Sequence, residues 1–134
     1  MSANRQYLAS IDSAHKTLKI YKVNNNPEHA FDIDITDMTQ TFGVYLTADA
    51  VLVTDFAEGK LCKYALSVSS QPIWTCASLN APAGIATDES GYIYVTSNES
   101  PKINIIPPEG NKTKQDLLYF GVNEAGTCSF YILL

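Results

Sequence analysis

Three aspartates, Asp32, Asp34 and Asp37, stand close enough along the chain to suggest oxygen ligands for a hard cation. The residues around them argue otherwise. No glycine occupies the turn position of a calcium loop and no glutamate follows at the required spacing. Phe31, Ile33 and Ile35 instead alternate with Asp32, Asp34 and Thr36 in the period of a strand. The carboxylates therefore read as the solvated face of an outer strand. His15 and His29 fall in turn-like sequence, and neither sits in a Gly-x-Ser-x-Gly or Cys-His arrangement that would activate a nucleophile. Cys62, Cys76 and Cys128 are odd in number, widely spaced and outside any CxxC pattern, so they read as free thiols. These residues give no catalytic group, cofactor site or metal site, and the expectation is a protein that is not an enzyme.

Bulk properties narrow the class of partner. With 46% hydrophobic and 17% charged residues, the 134-residue chain lies in the range of globular domains with a core. Its 14 acidic and 9 basic residues give a net charge of -5, and no Lys/Arg run forms a stripe for tracking phosphates. Nucleic acid is therefore disfavoured as a partner. No apolar stretch reaches the length of a membrane span, and Met1 to Tyr7 lacks the apolar segment of a secretory signal, so a cytoplasmic location is expected. Without a signal, the glycosylation triplets at Asn98 and Asn111 read as chance loop sequences.

Self-similarity supplies the elements. Gly43-Val44 precedes Gly84-Ile85 by 41 residues, and Val53-Thr54 precedes Val95-Thr96 by 42, as Lys60-Leu61 precedes Lys102-Ile103. A third copy lies upstream, where Asp12, Leu18 and Tyr21 each precede Asp55, Leu61 and Tyr64 by 43. That copy lacks the Gly-Ile opening segment. Each copy consists of short β-rich runs separated by turn residues, with no sustained period of 3.6. Strands are predicted near Leu52 to Asp55, Tyr92 to Thr96 and Lys102 to Ile106, with an outer strand over Gln115 to Phe120. Four antiparallel strands in about 42 residues match the size of a propeller blade. The predicted fold is all-β, a partial β-propeller of about three four-stranded antiparallel blades and a terminal stub. The chain divides into blade 1 (about 5–38), blade 2 (about 41–79), blade 3 (about 82–120) and the stub (121–134), all in one domain.

The third copy reads Pro82-Ala83-Gly84-Ile85-Ala86-Thr87-Asp88-Glu89-Ser90-Gly91-Tyr92-Ile93-Tyr94-Val95-Thr96-Ser97, followed by Lys102-Ile103 and Glu109-Gly110. It resembles an NHL repeat, whose pattern runs roughly P-x-G-I-A-x-D-x-x-G-x-I-Y-V-x-D, then a basic residue, an apolar strand and a D/E-G turn. Ser97 replaces the usual aspartate, which Asp12 and Asp55 supply in the other copies. The resemblance implies a propeller that commonly has six blades and often ends tripartite-motif (TRIM-NHL) ubiquitin ligases. No RING, B-box or coiled-coil sequence accompanies it here, so no ligase activity carries over. Some relatives bind RNA through basic residues of the propeller face, and Lys60, Lys63 and Lys102 would supply that face. Regucalcin-like and gluconolactonase-like propellers are metal-dependent hydrolases, which makes a lactonase or esterase a further alternative.

The leading expectation is a non-catalytic scaffold for protein–protein interaction. Its candidate partner contacts are Lys60, Lys63, Lys102, Trp74 and Tyr94, with Tyr45, Tyr64, Tyr92 and Phe42 as further aromatic candidates that packing between blades would absorb. Asp12 and Asp55 are structural repeat positions whose carboxylates cap backbone N–H groups, and Gly43 and Gly84 allow close approach of inner strands. Three blades leave two terminal faces, and both are expected to be apolar. At about 25 cal/mol per Å², exposing several hundred Å² would forgo on the order of 10 kcal/mol. The remaining blades are then expected from a longer chain or from a second copy.

Overall fold

The β-branched and aromatic runs fold as strands, and the computed structural model, which describes residues 2–3, 6–99, 102–110 and 115–116, has no helix among them. Strands β1 (Ser2–Ala3), β2 (Tyr7–Asp12), β3 (Thr17–Lys22) and β4 (Glu28–Asp34) form one antiparallel sheet. A second contains β5 (Thr41–Leu46), β6 (Ala50–Asp55), β7 (Lys60–Ala65) and β8 (Trp74–Cys76). The third contains β9 (Pro82–Thr87), β10 (Ile93–Ser97), β11 (Ile103–Ile106) and β12 (Gln115–Asp116). Each sheet is one blade with its strands in chain order, and the first strands β1, β5 and β9 lie beside one another at the inner edge. This is a partial β-propeller.

The register repeats with the sequence. Leu18 pairs with Ile33, Leu61 with Cys76 and Ile103 with Asp116, so the outer ladder is the same in all three blades. Copy one, expected to open without a first strand near residue 5, has one. Ser2 pairs with Ala9 and Ala3 with Leu8. Two small residues carry no Gly-Ile signature, and only their pairing makes them a strand. The outer strand expected through Phe120 is described at Gln115–Asp116; its remainder, the stub at 121–134 and Cys128 lie outside the described residues.

Alternation along the strands sorts the core into two layers. Ala9, Leu18, Ile20 and Ile33 of blade 1 pack against Val51, Val53, Cys62 and Tyr64 of blade 2. On the other face of blade 2, Leu52 and Leu61 pack with Ile93, Val95 and Ile106 of blade 3. Fully burying each such side chain contributes about 1.5 to 3 kcal/mol. Connectors lock the layers in place. The N–H of Ile35 donates to the Lys16 carbonyl at 3.0 Å, and that of Leu79 to the Gly59 carbonyl at 2.8 Å, one clasp per blade junction.

The free face of blade 1 corrects an expectation. It presents Asp12, Lys19 and Asp32, with Lys19 Nζ 3.8 Å from the first carboxylate and 3.6 Å from the second. His15 and His29 pair with Asp12 and Asp32, and the Tyr21 ring meets His29 edge-on at 5.7 Å. The face carries charge where an apolar surface was expected, because the outward alternates of β2, β3 and β4 include Ser10, Asp12, Lys19 and Asp32 beside Leu8 and Tyr21.

Candidate functional site

Blades 2 and 3 join their first two strands by tight turns, which lie with Gln6 of blade 1 at one end of the molecule. Gln6 lies between β1 and β2, Thr47 to Asp49 between β5 and β6, and Asp88 to Gly91 between β9 and β10. Between the last two turns opens a cleft of about 630 Å³. Tyr45, Leu52 and Ile93 form its floor, Lys63 and Pro108 its outer wall, and Asp49, Asp88 and Glu89 its rim.

Local chemistry fixes the rim. The Thr47 N–H donates to the Ala50 carbonyl at 2.9 Å, while the Thr47 hydroxyl accepts the Ala50 N–H at 3.0 Å. Asp88 Oδ1 accepts the N–H groups of Ser90 at 2.9 Å and Tyr92 at 3.0 Å, a side-chain-capped turn with Gly91 at φ +85°. Tyr94 Oη donates to Asp88 Oδ2 at 2.9 Å. That hydrogen bond, with burial and the carboxylate charge, raises the phenol above its ordinary pKa. Asp49 and Glu89 remain exposed on the rim. On the floor, Thr87 Oγ1 donates to Tyr45 Oη at 3.2 Å and ties the inner strands of blades 2 and 3 together.

The candidate contacts from sequence are spread out. Lys63 enters the cleft wall. Lys60 starts β7 at the opposite end, where its Nζ donates to the Asp37 carbonyl at 3.1 Å, and Lys102 precedes β11 at that same end. The three lysines therefore do not form one basic face. Trp74 is half-buried between blades, its indole lying against Gly110 so closely that a Cβ there would overlap the ring. Tyr64 is buried in the first core layer and Tyr92 is exposed beside the Asp88 turn. Phe42 is exposed and stacks on Phe56 at 5.8 Å, at the end away from the cleft.

The repeat positions are occupied structurally. Asp55 is fully buried, and its carboxylate accepts the N–H groups of Thr39 at 2.7 Å, Gln40 at 3.0 Å and Glu58 at 3.1 Å. Burial alone would raise its pKa, but the three N–H donors and the nearby Lys60 charge outweigh it and hold the group below the usual value. Asp12 accepts the His15 N–H at 3.2 Å and pairs with the His15 ring at 2.9 Å, which lowers its pKa. Cys62 is buried beside Thr75, and burial pushes its thiol up, so it is not an activated nucleophile. Among the described residues, no three His, Cys, Asp or Glu side chains group as a metal site. No helix there is long and apolar enough to cross a membrane.

Asp49, Asp88 and Glu89 escaped the sequence reading as site residues, whereas Tyr45 stood there among the further aromatic candidates. The available signal was positional, since Thr47-Ala48-Asp49 and Asp88-Glu89-Ser90 occupy the same place in consecutive repeats, 41 residues apart.

No family model and no curated protein matches the chain. Solved structures do. A glutaminyl cyclase from Myxococcus xanthus superposes with a TM-score of 0.60 at 11% identity, over 80% of this chain and 46% of that one. A protein of unknown function from Bacteroides caccae gives 0.57 at 10% identity, over 95% and 50%. The chain thus spans about half the length of these structures, and at such identities the likeness is one of fold.

Proposed function

We propose that this chain is a non-catalytic interaction module built of NHL-like blades, and that the cleft between the turns of blades 2 and 3 holds a basic segment of a protein partner. The observation that carries this reading is the pairing of an aromatic and aliphatic floor with exposed carboxylates on the rim, in a chain of net charge -5. The NHL likeness is supported by where its motif falls. Pro82–Thr87 is an inner strand, Asp88 to Gly91 its turn and Ile93–Ser97 the next strand. A non-catalytic role is supported by the commitments of the carboxylates, since Asp12, Asp55 and Asp88 are each engaged by backbone N–H groups. RNA binding is less favoured, because Lys63 is parted from Lys60 and Lys102 and stands beside an acidic rim.

Titrating a fluorescent arginine–alanine octapeptide against the chain tests the reading. Binding is expected to weaken with salt, and by about tenfold when Asp49→Lys and Glu89→Lys reverse the rim. Both positions are exposed, so the fold should persist. Equal affinity in the double variant would overturn the assignment.

A further inference from the structure

The two junctions of blade 2 differ in one row of side chains. In blade 1, Ala9 pairs with Ile20 and Ile20 with Phe31, and the row packs toward blade 2 with Ile20 fully buried. The same ladder positions in blade 2 are Leu52, Lys63 and Trp74, and that row packs toward blade 3. Blade 3 has Ile105 at the middle place. Packing favours an apolar side chain there, since a lysine gives up rotamer freedom and brings an ammonium to the seam. At Lys63 the seam is open. Its side chain lines the cleft with Leu52 of its own row and Ile93 of blade 3.

The other end of the same junction is shut. The bare Cα of Gly43 faces the Ala83 carbonyl so closely that a Cβ would overlap it. Thr54 Oγ1 donates to that carbonyl at 3.0 Å and accepts the Gly43 N–H at 2.8 Å, while Gly84, next to Ala83, donates to Thr96 Oγ1 at 2.8 Å within its own blade. Blades 2 and 3 are thus a fixed frame around the cleft.

Strand order spreads the charges along it. Asp49 and Glu89 stand in the turns that join first strands to second strands, whereas Lys63 stands on β7, the third strand of its blade. About one and a half strand spacings separate these places, or roughly 7 Å. Tyr45 on β5 and Leu52 on β6 floor the span. In an extended peptide, residues two apart point to the same side and lie about 7 Å from each other.

We propose that the segment held in the cleft carries a carboxylate side chain two residues from a basic one, the basic group lying at Asp49 and Glu89 and the carboxylate at Lys63. This rests on the reading of the cleft as a site for a basic segment, and it supplies the specificity that an acidic rim by itself lacks. A chain of net charge -5 attracts a basic peptide less once glutamate is added to it. A gain in affinity from one correctly spaced glutamate therefore runs against the bulk charge and reports Lys63 alone.

Three capped octapeptides test this by fluorescence titration: the arginine–alanine parent and two glutamate-bearing derivatives of equal composition. One derivative places the glutamate two residues from an arginine, and the other places it beside an arginine, on the opposite side of the extended chain. The first should bind about tenfold more tightly than the second. Lys63→Met should erase that difference without weakening the parent peptide, and Lys63→Arg should keep it. The fold should tolerate methionine, because the repeat has isoleucine at this place in blades 1 and 3, and the emission of neighbouring Trp74 checks that the junction persists. Equal affinities of the two derivatives for the unaltered chain overturn the proposal, and binding of the parent peptide then leaves the basic-segment reading standing. A difference that survives Lys63→Met also overturns it, since another group would be holding the carboxylate. If none of the three peptides binds, both the reading and the proposal fall.

Discussion

Asp55 shows how one buried carboxylate organises a blade junction. Its three backbone N–H donors come from the connector entering blade 2 and from the turn after β6, so removing the acid leaves all three without their acceptor. Asp55→Ala is expected to cost about 2 to 4 kcal/mol in urea unfolding. The pH dependence follows from the depressed pKa values of Asp12, Asp32 and Asp55. A carboxylate whose folded pKa lies below its unfolded value stabilises the fold above about pH 4 and loses that contribution as pH falls through the folded value. Stability should hold from neutral pH to about pH 5, then decline, and less steeply in Asp55→Asn; parallel acid curves would contradict this. The capping role was legible in sequence, since a short carboxylate ended a strand and opened a turn. The Thr54 hydroxyl was not, because its acceptor lies 29 residues on, in another blade.

At the scale of elements, the period of the sequence was enough to find the strands, because a two-residue alternation and turn chemistry act locally. What it missed was set by pairing alone. Ser2–Ala3 is a strand only through its ladder with β2, and Trp74 looked like a surface anchor because nothing near it in sequence announces Gly110. That indole bridges the outer strand of blade 2 and the turn after β11, so the chain's single tryptophan reports on the blade 2–blade 3 junction. Gly110→Ala adds a Cβ where the ring lies, at a φ of +79° that already disfavours other residues. The expected outcome is a red-shifted tryptophan emission and a loss of about 1 to 3 kcal/mol. Unchanged emission would place the indole elsewhere.

For the whole molecule, the sequence predicted two uncovered apolar faces and hence obligatory assembly, and the described structure removes half of that argument. Counting blades from the repeat was sound, but a period says nothing of which alternate residues face outward at an end. At blade 1 they are Asp12, Lys19 and Asp32, linked to one another and to His15 and His29, much as terminal repeats of stacked proteins carry a polar outer face. A three-plus-three ring of two copies would bury this cluster against the blade 3 face of its partner. Desolvating these charges without new partners costs several kcal/mol per ion, which offsets much of the apolar gain at the same seam. The charged end of blade 1 therefore does not call for a second copy. Light scattering at micromolar concentration should return the 14.7 kDa mass of one chain, at low and high salt alike. A dimer that dissociates on Asp32→Lys would reverse this conclusion, because it would show the charged cluster to be an interface whose partner carries complementary charge rather than a surface turned to water.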